Sequence, residues 1–200
     1  MTDSLGIDTS PPVSRIILVR HGPTEWSRDG RHTGRTALPL EEDGKEAAVA
    51  LRPRLAELGI VEAYSSPLSR ALDTCRLAGF GDPVLLDDLM EWDYGEYEGR
   101  TTTEIQQERP GWSVFTDRCP GGEGPGEVAR RAERVLSRIQ LDPDAEGAVV
   151  LFSHGHLLRV LAVTYLDLHP RDGRLLTLDT ASISVLGFER DRQVLRVWNS

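Results

Sequence analysis

The sequence predicts a single three-layer α/β/α sandwich around a mostly parallel central sheet, and three observations carry that expectation. Two continuous apolar runs, Ile16-Ile17-Leu18-Val19 and Ala148-Val149-Val150-Leu151-Phe152, read as strands buried on both faces. Between and around them, segments of strand character alternate with segments of helical character. No internal repeat or long linker divides the chain, whose 200 residues suffice for one domain with a substantial core.

Residues 1–13 are rich in Ser, Thr, Pro and Asp and are expected to form a flexible tail, with the single domain over residues 14–200. The start lacks a basic segment followed by an apolar one, so it does not read as a secretory signal. The first strand runs into Arg20-His21-Gly22-Pro23-Thr24-Glu25-Trp26-Ser27. In open α/β sheets ligands bind beyond the carboxyl ends of strands, which places candidate chemistry here. Arg20 supplies a fixed cation suited to phosphate or carboxylate, and His21 a nitrogen that is neutral near pH 7. Gly22 removes a side chain where a ligand could approach the backbone. The loop over residues 28–36 adds Arg28, Arg31, His32 and Arg35, either a solvated surface or a basic rim for anions.

A helix is expected over residues 41–58, opened by acidic residues and stopped at Gly59, with Pro53 kinking or dividing it. A short strand over 61–64 ends in Ser65-Ser66-Pro67, a good start for a helix over 68–78 with Arg70 in its first turn. A third strand at 84–86 leads into an acidic, aromatic loop holding Glu91-Trp92-Asp93-Tyr94-Gly95 and Tyr97. A helix over 102–108, a loop from 110 to 125 around Cys119-Pro120-Gly121-Gly122-Glu123, and a polar helix over 126–139 follow. The second apolar strand ends in Ser153-His154-Gly155-His156, before an apolar helix over 157–166. Residues 182–189 and 193–198 alternate enough to close the sheet as a strand pair.

Composition narrows the function. The chain is 39% hydrophobic and 28% charged, as ordinary globular proteins are, and its 23 Lys+Arg against 32 Asp+Glu leave a net charge of −9. That balance argues against nucleic-acid or anionic-membrane binding, and no apolar run approaches the roughly 18 residues a membrane span needs. Cys75 and Cys119 have no metal-ligand spacing and read as free thiols of a cytoplasmic protein, Cys75 in the core and Cys119 exposed.

Two strands thus end alike, in Arg20-His21-Gly22 and Ser153-His154-Gly155. If both lie centrally in one parallel sheet, the two histidines meet, and Arg70 beyond another strand joins them. Such a cluster suits a tetrahedral dianion. A neutral imidazole can attack phosphorus, guanidiniums and a second, protonated imidazole can hold the equatorial oxygens, and a carboxyl group must protonate the leaving oxygen. Glu91, desolvated beside Trp92 and Tyr94, is a candidate for that acid.

With these residues in place, Leu18-Val19-Arg20-His21-Gly22-Pro23-Thr24-Glu25-Trp26 resembles the signature of the histidine phosphatase superfamily, in its phosphoglycerate-mutase-like branch. The resemblance continues through Thr33-Gly34, Pro39-Leu40, Ser65-Ser66-Pro67-Leu68-Ser69-Arg70-Ala71, Glu91-Trp92-Asp93-Tyr94-Gly95 and Ser153-His154-Gly155-His156. It implies a phosphoglycerate-mutase-like fold, with His21 as phospho-accepting nucleophile, Arg20, Arg70 and His154 holding the phosphoryl group, and Glu91 as proton donor. Thr24, Ser27, Thr33 and Gly34 would line the pocket, with Gly22, Tyr94 and Gly155 beside the substrate. No cofactor and no metal are implied.

Pro23 stands where the family commonly has an acidic residue, and Ser27 where many members have a phosphate-binding asparagine. Mutases also carry a basic insertion that grips a second phosphate. Here residues 101–127 hold only Arg109 and Arg118, which favours a phosphatase over a cofactor-dependent mutase. The pattern around Glu91 to Gly99, with the Cys-Pro-Gly-Gly-Glu loop, is similar to acid phosphatases and sedoheptulose-bisphosphatase-like sugar phosphatases. The expected partner is therefore a small phosphorylated metabolite, with monomer and homodimer equally open. Trp92, Tyr94 and Tyr97 are expected to wall the pocket mouth, and His156 to cap a helix start in preference to contacting substrate.

Overall fold

The computed structural model describes residues 11–200. Six strands, β1 (Arg15–Arg20), β2 (Ile60–Ser65), β3 (Val84–Leu85), β4 (Ala148–Ser153), β5 (Ile183–Glu189) and β6 (Arg192–Val197), form one sheet. Their order is β3-β2-β4-β1-β5-β6. The first four of these run parallel to their neighbours, whereas β5 is antiparallel to both β1 and β6. The sheet is thus mostly parallel, with the closing pair supplying its antiparallel edge.

The continuous apolar runs serve both faces of this sheet. Along β1, Ile16 and Leu18 point to one side and Ile17 and Val19 to the other, as the period of two requires. The first side packs against α5 (Pro125–Ser137) and α6 (Gly155–Tyr165), and the second against α2 (Glu42–Ala56) and α3 (Ser69–Leu77). The remaining helices, α1 (Glu25–Arg28) and α4 (Thr102–Glu108), are short. This is the expected three-layer sandwich.

Of the two expectations for Pro53, division of α2 fails: the helix runs unbroken from Glu42 to Ala56. Of the tail expected over residues 1–13, residues 1–10 lie outside the described residues. Val13 is fully buried and bridges to Leu141. Cys119 is buried, contrary to expectation, as is Cys75, and both are free thiols. No helix among the described residues is long and apolar enough to cross a membrane.

Loop anchoring replaces regular structure between β3 and α5. A Cβ on Gly95 (φ +52°) would lie 2.1 Å from the Pro120 carbonyl oxygen, so only glycine lets these two loops touch. Arg131, on α5, donates to the carbonyls of Asp88, Met90 and Glu91 and pairs with Glu123 at 2.8 Å. One buried guanidinium therefore holds the whole segment from 88 to 91.

Candidate active site

β1 and β4 are neighbours in register, with Arg20 opposite Ser153. The residues that follow them, His21 and His154, are consequently brought together, with ring centroids 5.2 Å apart. β2 pairs on the far side of β4, and Ser66 at its end lies 2.9 Å (Oγ) from Nε2 of His154. Arg70, one turn into α3, is fully buried in the same cluster. Sheet order alone thus assembles residues distant in sequence at one carboxyl edge.

His21 is nearly buried, and its Nδ1 lies 2.7 Å from the Gly22 carbonyl oxygen. A carbonyl can only accept, so Nδ1 carries the proton and Nε2 keeps the lone pair. Burial, then the charges of Arg70 and Arg20, hold the His21 pKa well below the usual 6.5. His154 is lowered likewise, by burial and then by Arg70, His21 and Arg20. The expectation of a protonated His154 therefore fails in the free protein: two guanidiniums and a second imidazole oppose a further positive charge.

The arginines are held by carbonyls and form no ion pair among the described residues. Arg70 donates from Nη1 to Thr36 and from Nη2 to Thr33 and Gly34, at 2.9–3.1 Å. Arg20 donates to the Leu178 carbonyl. Nε of Arg20, Nε of Arg70 and Nδ1 of His154 are buried with no hydrogen-bond partner among the described residues. Each such buried polar group left unpaired costs about 1–3 kcal/mol, and the two guanidinium N–H groups are donors that an anion would satisfy.

Glu91 is nearly buried and accepts three backbone N–H groups, those of Trp92 (2.9 Å), His156 (3.0 Å) and Leu157 (2.9 Å). The last two belong to the first turn of α6, so the carboxyl group is anchored to that helix. A cavity of about 240 Å³ is lined by Arg20, His21, Ser27, Thr33, Glu91, Tyr94 and Gly155 among others. Arg70 and His154 are not among its lining residues.

Several residues expected beside the substrate also have structural partners, Ser27 and Gly155 while lining the cavity. Gly22 makes room for a helix: a Cβ there would lie 2.5 Å from the Gly44 carbonyl oxygen. Thr24 is fully buried and caps α1, and the Ser27 hydroxyl is bonded back to the Thr24 carbonyl at 2.8 Å. Gly34 lies off the cavity and donates to Glu98 (2.8 Å), whose carboxylate also accepts from Thr36 at 3.0 Å. Glu98 thereby fixes the loop whose carbonyls hold Arg70, a role its place in an acidic stretch concealed. Gly155 leaves room for Arg20, whose Nε would lie 3.3 Å from a Cβ there.

Among the aromatics, Tyr94 does line the cavity, with its hydroxyl 2.6 Å from Nδ1 of His156. Trp92 and Tyr97 are core residues, not pocket walls. His156 lines the cavity instead of capping a helix, as do His32 and Arg159. Of the basic loop, Arg31 reaches the cavity, whereas Arg28 pairs with Glu41 and Asp43 and Arg35 contacts Met90. No group of three or more His, Cys, Asp or Glu able to hold a metal occurs among the described residues.

Comparison with known proteins agrees with this geometry. The profile of the histidine phosphatase superfamily (branch 1) matches residues 16–200. An acid phosphatase of Mycobacterium tuberculosis is 38% identical over 92% of this chain and 91% of its own length. Sedoheptulose 1,7-bisphosphatase of Saccharomyces cerevisiae is 35% identical over 77% of this chain and 68% of its own. Among solved structures, a mycobacterial glucosyl-3-phosphoglycerate phosphatase superposes with a TM-score of 0.83 at 29% identity, covering 94% of this chain and 100% of that one.

Proposed function

This chain belongs to the histidine phosphatase superfamily, branch 1, and from that premise we propose that it is a metal-independent phosphomonoesterase acting through a phosphohistidine on His21. Membership and the phosphatase names of its relatives make it a phosphatase. The substrates proposed are small phosphorylated metabolites, sugar phosphates among them, which suits a cavity of about 240 Å³.

One observation carries the mechanism: the Gly22 carbonyl fixes the proton on Nδ1 of His21, leaving a neutral Nε2 beside two arginines. The Nε2 lone pair attacks phosphorus and the bond to the ester oxygen breaks. Glu91 gives its proton to the leaving oxygen. Water then attacks the phosphohistidine, Glu91 takes the water's proton, and the P–N bond electrons return to Nε2. Arg20, Arg70 and His154 hold the phosphoryl oxygens throughout, their unpaired nitrogens matching the charge that spreads over those oxygens.

Hydrolysis is favoured over mutase chemistry by where the basic residues of the 101–127 stretch go. Arg109 bonds the Tyr97 hydroxyl (3.2 Å) and Asp117, and Arg118 pairs with Glu127. Neither lines the cavity, so neither grips a second phosphate of a primer. The test is phosphate release from sugar phosphates, phosphoglycerates and an aryl phosphate in the presence of a chelator. Release by the wild type and none by His21→Ala supports the reading. Release abolished by the chelator, or phosphoglycerate isomerisation without release, overturns it.

A further inference from the structure

A second cavity, of about 550 Å³, opens at the edge of the sheet opposite the catalytic one. Arg15, which begins β1, lines it, whereas Arg20, which ends β1, lines the catalytic cavity. At the rise of a strand these two residues lie about 17 Å apart. Leu58, Val185, Phe188 and Val197 give the second cavity an apolar lining. Arg15, Arg190 and Arg196 add three cations to it, and Asp144 is its one carboxylate. Small-molecule sites commonly combine an apolar wall with a few placed polar groups in this way.

Local geometry gathers these arginines. β6 carries an extra residue, since Val197 pairs with Val185 and Leu195 with Leu186, which leaves Arg196 without a partner in β5. Strict alternation would send Arg196 and Val197 to opposite faces, yet with this bulge both line the cavity. Arg196 donates from Nη2 to the Phe188 carbonyl, and Arg15 from Nη2 to the Leu58 carbonyl at 3.1 Å. Both stems flank Gly187, where a Cβ would lie 3.4 Å from Cγ of Arg196 and 3.5 Å from Cγ of Arg15. Arg190 sits in the turn between β5 and β6 at φ +58°, a conformation that residues other than glycine seldom adopt. Among the described residues none of the three arginines forms an ion pair. Three guanidiniums gathered without a paired carboxylate repel one another, and an anion bound among them offsets that repulsion.

We propose that this second cavity binds a small carboxylate with an apolar body, aromatic or short-chain aliphatic, away from the catalytic centre. The planar forks of Arg15, Arg190 and Arg196 match the carboxylate, while Leu58, Val185, Phe188 and Val197 cover the body. Both halves of the ligand are required. An inorganic anion leaves the apolar wall wet, and a neutral apolar molecule leaves the cations without a counter-charge. The site shares no lining residue with the catalytic cavity and rests on no step of the phosphatase chemistry.

The experiment titrates naphthoate into the full chain by calorimetry, with and without excess inorganic phosphate. Naphthylmethanol, which has the body without the charge, and acetate, which has the charge without the body, serve as controls. Saturable binding of naphthoate is expected with or without phosphate, at least about tenfold tighter than either control, the scale of one charge-assisted contact. Arg196→Gln and Arg190→Gly are each expected to weaken naphthoate binding by about tenfold for the same reason. Glycine suits the backbone at residue 190, so the second variant keeps the fold and isolates the lost charge. No saturable binding to the wild type overturns the proposal, as does an equal affinity for naphthylmethanol or an affinity unchanged in either variant. Displacement of naphthoate by phosphate places it in the catalytic cavity and overturns the proposal as well.

Discussion

Oε1 of Glu91 lies 2.9 Å from the amide nitrogen of Leu157, within the first turn of the helix that His154 opens. The carboxylate and the second histidine are therefore parts of one rigid unit, although they come from different ends of the chain. Replacing Glu91 by glutamine turns one acceptor oxygen into a donor facing an amide and removes the proton the leaving oxygen needs. Glu91→Gln is expected to lower kcat on a sugar phosphate by about 10²–10⁴-fold. The loss on an aryl phosphate, whose leaving group needs no proton, is expected to be much smaller. Equal losses on both, measured by steady-state phosphate release, would remove Glu91 from its role as acid.

The buried histidines set two pH dependences. His21 acts in its neutral form, and its pKa is held well below 6.5. The acid limb of kcat/KM should accordingly lie below the usual imidazole range, so activity persists as pH falls from about 7 to about 6. A half-loss near the ordinary histidine value would contradict the assigned environment.

Stability moves the other way on acidification. Unfolded histidines take up protons near 6.5, whereas folded His21, His154 and His156 do not, and folded His32 does so only near about 4. The unfolded state thus binds more protons below pH 6.5, and stability present above that value is lost as pH falls toward the folded values. The slope is up to about 1.4 kcal/mol per pH unit for each such ring. Urea unfolding at pH 7 and pH 5 checks it, and equal stabilities would contradict the burial of these rings.

Arg131 is expected to be a position where truncation is costly. It is buried, pairs with Glu123 and donates to three carbonyls of the segment that carries Glu91. Arg131→Ala leaves the partly buried Glu123 carboxylate without its cation and three carbonyls without their donor, and is expected to cost about 1–3 kcal/mol in urea denaturation. A loss below about 1 kcal/mol would show that this pair is not what organises the loop.

Arg20 depends on a clasp at the far end of the chain. The Leu178 carbonyl accepts from Arg20, and the neighbouring Asp179 exchanges two hydrogen bonds with the Asn199 side chain, at 2.6 and 2.9 Å. Trp198 also donates to Thr177. Asn199→Ala should loosen this loop and raise KM for a phosphoester by about threefold to tenfold, the effect of one or two lost hydrogen bonds. An unchanged KM would mean that the carbonyl is held without the clasp.

Much of this was legible in the sequence because apolar runs and strand-end residues report the same thing twice. The runs before His21 and His154 identify buried parallel strands, and the adjacency of those strands then brings the histidines together. Element bounds and the closing strand pair followed from periodicity in the same way. What the sequence concealed was the use of polar side chains as props. Glu98, Arg131 and Thr24 sit among residues of similar type, and only the backbone groups they meet distinguish them. Trp92 and Tyr97 looked like pocket walls because an irregular acidic loop gives no period from which to read a core face.

The most direct measurement is to mix enzyme with a sugar phosphate, quench within one turnover, and map the site of any protein-bound phosphoryl group by mass spectrometry. The expected result is a phosphoryl group on Nε2 of His21, acid-labile as phosphoramidates are, and absent from His21→Ala. Turnover at the wild-type rate with no such adduct, or with the phosphoryl group on another residue, would contradict the mechanism proposed for this site.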